Sequence, residues 1–310
     1  MTRDLIVALS GGIGGAKLAL GLSHVVAAHN LVIIANTGDD FDHLGLSISP
    51  DIDTITYTLA GIDNPTLGWG RRDETWSFME TLATIGGPTW FRLGDRDLAL
   101  HIERTRRLRA GETLSTITDD IARHWGIGPR ILPMSNDPVR TRVKTDGGWI
   151  DFQDYFVGQQ CRPVVQELAF AGAASARPHP DILAALASPR LKAVVICPSN
   201  PFISVEPILA VPGIRAAIAK SGAPVIAVSP IIGGKAVKGP TAKMMAELGL
   251  EVSAAAVAAR YGKLLTHYVL DHVDANMAGA IAAKINLANT LMSTIDDKKS
   301  LAQAVLAAIS

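Results

Sequence analysis

The stretch DLIVALSGGIGGAKLALGLSHV, residues 4–25, followed by LVIIANTGDD at 31–40, restricts this chain to a small set of folds. Asp4 to Ser10 is a short apolar run of strand formers that stops at glycines. From Gly15 to His29 the apolar positions, Leu18, Leu20, Leu22 and Val25 among them, follow a helical spacing. Leu31 to Asn36 reads as a second buried strand. Strand, glycine-rich turn, helix and strand form a βαβ unit, which closes right-handed with its strands parallel.

The same grammar returns later, in KAVVICPSNP (192–201), PVIAVSPIIGG (224–234) and, more weakly, HYVLD (267–271). Ala-rich helices are expected over 179–188, 212–220, 240–248, 252–261, 275–285 and 296–309. Residues 51–127 read mostly helical, and RVKTDGGWIDFQDYFV reads as a hairpin around Asp146-Gly147-Gly148. The predicted architecture is α/β: a Rossmann-like, mostly parallel sheet flanked by helices. Its core comes from 1–50 and 128–310, and 51–127 forms a helical insertion subdomain.

At 310 residues and 48% hydrophobic content the chain can bury a sizeable core. Twenty-nine basic residues balance 29 acidic ones, giving a formal net charge of +0. That removes the bulk field that draws a protein to nucleic acid or an anionic membrane, and neither is an expected partner. Cys161 and Cys197 are far apart with no Cys-x-x-Cys, which predicts reduced, core-like thiols. No stretch has the apolar length of a membrane span, and MTRDLIVALSGG runs straight into a strand rather than a cleavable signal. A cytoplasmic protein is expected. The eight histidines show no metal-ligand spacing, and no Gly-x-Ser-x-Gly elbow announces a serine hydrolase.

The glycine loop fits neither common nucleotide fingerprint. Lys17 follows Ala16 and precedes Leu18, so the Mg²⁺-binding hydroxyl of a Walker A loop is missing. Lys17 also occupies the third glycine position of a dinucleotide fingerprint, and Asn36 stands near the place of its ribose-binding acid. Glycines permitting close backbone approach, then a helix N-terminus and Lys17, still suit an anion; a tight turn with no ligand is the alternative. Four strand ends carry small polar or glycine residues: Ser10–Gly12, Asn36–Asp40, Ser199–Pro201 and Ser229–Gly234. Open α/β sheets bind ligands at such ends. In SPDIDT, Asp51 and Asp53 follow Pro50 at a helix start, where capping alone would explain them. In LGDRDLA, Arg96 sits between Asp95 and Asp97, where a local ion pair would suffice. The functional alternatives are carboxylates for Mg²⁺ or a hydroxyl proton, and an arginine for a phosphate or a polar ring edge.

Taken together, GGIGGAK, NTGDD, SPDIDT, LGDRDLA, LPMSNDPV, PSNPFISVEPIL, PGIR, VSPIIGGKAVKGP and LMST resemble the 2-phospho-L-lactate transferase family (CofD/FbiA), in order from residue 8 to about 294. GWGRRDETW looks more like its bacterial members. The resemblance implies an Mg²⁺-assisted enzyme of coenzyme F(420) biosynthesis. Its donor is lactyl- or enolpyruvyl-2-diphospho-5'-guanosine. The group it moves, phospholactyl or phosphoenolpyruvyl, goes to the ribityl hydroxyl of 7,8-didemethyl-8-hydroxy-5-deazariboflavin (Fo), and GMP leaves. It further implies that Asp53 and Arg96 contact Fo and act in catalysis. Gly11, Gly12, Gly14, Lys17, Asn36, Asp51, Asn200 and Ser229 then bind substrate, and Asp51 or Asp53 holds the metal. A homodimer is the family's expectation for assembly. The rival is a non-enzymatic, nucleotide-sugar-binding regulator of the gluconeogenesis-factor type, which shares the glycine-rich start.

Overall fold

The computed structural model describes residues 3–309; Met1, Thr2 and Ser310, the ends of the expected core, lie outside the described residues. Its centre is a sheet of seven parallel strands: β1 (Leu5–Ser10), β2 (Leu31–Ala35), β3 (Arg130–Pro133), β4 (Leu191–Ile196), β5 (Val225–Val228), β6 (His267–Asp271) and β7 (Lys284–Ala288). The spatial order is β7-β6-β5-β4-β1-β2-β3. The chain therefore runs outward from β1 to β2 and β3, then returns to the other side of β1 as β4. That reversal opens a crevice between the C-terminal ends of β1 and β4, the place where open α/β sheets bind ligands.

Both faces of the sheet are covered, which is why its strands are apolar throughout rather than alternating. Val7 and Leu9 of β1 join one buried cluster with Val194, Ile196 and Tyr268. Ile6 and Ala8, pointing the other way, join Leu18, Leu22, Ile33 and Val195. Helix α1 (Gly12–Val25) lies on this second face between α2 (Pro50–Leu59) and the C-terminal helix Ile295–Ala307. A Cβ at Gly21 would stand 2.1 Å from the Lys298 carbonyl oxygen, so glycine sets how closely the two helices approach.

The hairpin forms as expected, Arg140–Thr145 against Gly148–Asp151, with Glu167–Ala171 as a third antiparallel strand. Three expectations need correction. Residues 275–285 are not an α-helix: a 3₁₀ turn over His272–Ala280 leads into the edge strand β7. The short edge strand β3 carried no recognised strand signal. The helical stretch also merges with the core at both ends. Ile52 and Ile55 of α2, Ala122 of α5 (Leu114–His124) and Ile127 pack into the cluster beneath the sheet. Only Ile48, Met79, Leu93 and Leu98 form a buried cluster of their own. These belong to the short antiparallel strand Leu46–Ile48 before α2, to α3 (Ser77–Thr84), to the loop after it, and to α4 (Asp95–Arg109). Among the described residues no single helix is long and apolar enough to cross a membrane. The bent pair Pro201–Ala210 and Ile214–Lys220, apolar enough by composition, is packed into the core through Phe202, Ile208 and Ile214.

Gly21→Ala should lower stability by about 1–3 kcal/mol, because a methyl group meets backbone that can move only by separating two helices. A thermal melt checks this; an unchanged midpoint would show that the helix Ile295–Ala307 shifts freely.

Candidate functional site

A cleft of about 700 Å³ opens at the β1/β4 crevice. Four strand ends supply its floor, through Gly11 and Gly12, Asp39, Pro198–Asn200, and Ser229 with Pro230. The volume suits a drug-sized ligand or a nucleotide.

The glycine loop is built for close contacts. Gly12 has φ +62°, a left-handed conformation that favours glycine, and its N–H donates to Asp51 Oδ1 at 2.7 Å. A Cβ at Gly14 would lie 2.2 Å from the Pro198 carbonyl oxygen, so this glycine seats α1 against the end of β4. The first helical N–H thus belongs to a carboxylate, and an anion at this helix start would meet the N–H groups that follow it. Lys17 lines the cleft, with Nζ 2.7 Å from the Met292 carbonyl oxygen.

Asn36 is fully buried and does not line the cleft, contrary to its expected role as a donor contact. Its Nδ2 donates to Asp51 Oδ2 at 2.8 Å, the Ile203 carbonyl at 3.0 Å and Asp39 Oδ1 at 3.2 Å, while its Oδ1 accepts from Gly38 N–H. It is a positioning residue for two cleft-lining carboxylates. Burial, with the charge of Asp51 beside it, pushes the Asp39 carboxyl well above its ordinary range. Burial pushes Asp51 up to about 6, against the hydrogen bonds from Asn36 and Gly12. An amide and a backbone N–H answer their charge; among the described residues no cation does.

Asp53 differs. Both its oxygens accept from the buried Arg104 guanidinium, Oδ2 from Nη1 at 3.1 Å and Oδ1 from Nη2. His101 stands between Asp53 and Asp97, its Nδ1 3.7 Å from Asp53 Oδ2 and its Nε2 3.2 Å from Asp97 Oδ2, and Tyr57 donates its hydroxyl to Asp97. Asp97, His101 and Arg104 recur at helical spacing along one face of α4. That polar stripe, at i, i+4 and i+7, is the signal in the sequence for these residues, and it runs beyond the helix start that the LGDRDLA motif covers. Asp53, Tyr57, Asp97 and His101 all line the cleft. Arg96 does not: it is exposed, and its backbone N–H donates to Glu74 Oε2 at 2.8 Å. The arginine at this wall is Arg92, whose guanidinium lies 4.0 Å from the centre of the Trp76 ring.

Asn200 and Ser229 do line the cleft, but each also serves its own turn. Asn200 Oδ1 accepts from Phe202 N–H at 2.9 Å, and the Ser229 hydroxyl donates to the Ile231 carbonyl at 2.8 Å. Five aromatic side chains also line the cleft: Trp69, Trp90 against Phe91 with ring centres 5.7 Å apart, and Phe152 stacked on Phe156 at 5.3 Å.

The residues fit a divalent cation at one place. Asp39 and Asp51 offer hard oxygen ligands whose charge is uncompensated, as Mg²⁺ requires. Asp53 does not fit as a ligand, because Arg104 occupies both oxygens. Among the described residues no three His, Cys, Asp or Glu side chains gather as a complete metal site. Phosphate oxygens and water would have to complete the shell, the usual arrangement for Mg²⁺ at nucleotides.

A family model described as 2-phospho-L-lactate transferase CofD matches residues 6–308. The chain belongs to this family. A phosphoenolpyruvate transferase of Streptomyces griseus subsp. griseus is 44% identical, with 97% of each chain covered. One of Streptomyces avermitilis is 42% identical over the same shares. A crystal structure of a UPF0052-family protein from Bacillus halodurans superposes with a TM-score of 0.64 at 14% identity, covering 99% of both chains, and shares the fold. This member of the CofD family is a transferase, so the rival reading as a non-enzymatic regulator falls away.

The buried carboxylates carry a pH prediction. Burial pushes Asp40, next to this pair, up to about 7 from an ordinary value of 3.8. Between those values the folded protein binds more protons than the unfolded chain, so stability falls as pH rises through 7. The metal-free protein should melt several degrees lower at pH 8 than at pH 5.5. Asp40→Asn should flatten that slope, and an unaltered slope would place its origin elsewhere.

Proposed function

We propose that this CofD-family transferase moves a phosphoenolpyruvyl group from enolpyruvyl-2-diphospho-5'-guanosine to the ribityl hydroxyl of Fo, releasing GMP. The phospholactyl group of the lactyl donor is the close alternative substrate. The observation that carries the reading is one cleft lined by two unlike sets of groups: glycine loop, paired carboxylates and lysine in one, aromatic side chains in the other. A diphosphate suits the first and a deazaflavin ring the second. The names of the Streptomyces relatives favour the enolpyruvyl donor.

In this reading the Fo hydroxyl oxygen attacks the phosphorus bearing the three-carbon acid and gives up its proton to solvent; a new P–O bond forms, and the P–O bond to GMP breaks with its electron pair leaving on the GMP phosphate. Such transfers depend on positioning and charge neutralisation rather than on a covalent protein nucleophile. Asp39 and Asp51 would hold Mg²⁺, which when bound neutralises charge on the diphosphate. Asn36 keeps those carboxylates together; Gly12 leaves room for the phosphates at the start of α1, while Gly11 and Gly14, which also line the cleft, let that helix start sit against Asp51 and Pro198. Asn200 and Ser229 border the donor. Asp53, held by Arg104, orients the Fo hydroxyl; Arg92 takes the place at the acceptor wall that sequence reasoning gave to Arg96.

Purified protein with Fo, Mg²⁺ and the enolpyruvyl, lactyl and glyceryl donors in turn tests the reaction, with products identified by mass. The enolpyruvyl donor should give dehydro coenzyme F(420)-0 and GMP fastest. No transfer from any donor would sink the reading. A chelator should abolish turnover and added Mg²⁺ restore it. Asp51→Asn should cut turnover on the order of a hundredfold in a protein that still folds, its melting temperature lowered only by the loss of one of the two hydrogen bonds the carboxylate accepts from Gly12 and Asn36. Near-normal turnover would leave Asp51 as a helix cap.

A further inference from the structure

Two loops meet over the start of α1, and a lysine stands where they touch. The first loop carries Leu67 and Gly68. The second is a small hairpin, Ile231–Ile232 against Lys235–Ala236, that continues to Lys238. Asp274 ties down its turn by accepting from Gly233 N–H at 3.0 Å. Lys238 Nζ lies 3.4 Å from the Leu67 carbonyl oxygen, at the outer limit of a hydrogen bond. It rests against Gly68, where a Cβ would come within 2.6 Å of the ammonium and 3.3 Å of Ile13 in the first turn of α1. Gly68 therefore leaves a niche that any other residue would fill, and its φ of +77° strains other residues as well.

Lys17 and Lys238 both line the cleft. Each holds only a backbone carbonyl, and neither pairs with a carboxylate among the described residues. The charge of Lys238 is felt at Lys17, whose ammonium is pushed down by burial first and then by Lys298 and Lys238, with Asp63 opposing them more weakly. Like charges gathered at a ligand cleft with no carboxylate in contact favour an anionic ligand.

Resting on the proposed reaction, we infer that Lys238 is a donor-binding residue. With Lys17 it holds the diphosphate of the guanosine-linked donor, and its niche over Gly68 closes the two loops across that ligand. An ammonium acts on phosphate as a point charge without fixed geometry, so arginine is its nearest substitute.

GDP binding by calorimetry, beside KM for donor and for Fo, tests the assignment in wild type and in Lys238→Met, Lys238→Arg and Lys235→Met. Lys238 and Lys235 are exposed, so these variants should fold. Lys238→Met should weaken GDP about tenfold or more, as for a lost charge-assisted contact, and raise donor KM while leaving Fo KM unchanged. Lys238→Arg should recover most of the affinity, and Lys235→Met should match wild type. GDP affinity unchanged in Lys238→Met, or an effect confined to Fo KM, overturns the inference. If the wild type transfers nothing yet binds GDP through Lys238, the proposed reaction fails while the diphosphate contact stands.

Discussion

Much of this site depends on the absence of a side chain at Gly11. A Cβ there would lie 2.5 Å from Asp51 Oδ2, 2.7 Å from Ser204 Cβ and 3.2 Å from Asn36 Cβ. With glycine in place, the start of α1, the first turn of α2, the end of β2 and the turn after β4 converge on one point. Asp51 can then cap Gly12 and receive Asn36 at once. Four segments distant in sequence are locked together by backbone and short polar groups. A larger residue at Gly11 would separate them, and the paired carboxylates would lose their geometry with the helix start.

The cleft contains two kinds of buried negative charge, and the difference assigns their work. Asp53 is neutralised by Arg104, a fully buried guanidinium that would itself be costly if left alone. That pair is complete, and it fixes a wall. Asp39 and Asp51 have only an amide and a backbone N–H between them. Burial raises both, and no cation among the described residues pairs with them; the proposed Mg²⁺ would supply that charge. Lys17 on α1 and Lys238 on the loop over it bring the opposite charge to the same cleft. A ligand that brings phosphate together with a divalent ion satisfies both at once.

The fold was legible where periodicity is local. The apolar runs of β1, β2, β4, β5 and β6 and the glycines after β1 announce a parallel sheet and its ligand edge without further help. β7 was missed because KINLA lies at the edge of the sheet, partly exposed, and its short pattern follows an Ala-rich segment that mimics a helix. The insertion was drawn too long because periodicity shows that a helix has an apolar face but not which layer that face meets. Ile52 and Ile55 meet the sheet's layer; Leu98 meets the small cluster.

At the site the motifs selected the right segments, but not always the right atoms. NTGDD, SPDIDT and LGDRDLA all reach the cleft. Within them, Asp39 rather than Asn36 faces it, Asp51 rather than Asp53 lacks a cation, and Asp97 rather than Arg96 lines it. Sequence by itself determined the sheet, the glycine-rich helix start and the family, because these follow from local spacing and the order of motifs along the chain. Which carboxylate is paired and which is left bare was decided only by tertiary structure. That outcome depends on Arg104, 51 residues beyond Asp53, folding back to reach it. No local pattern encodes a contact across that distance.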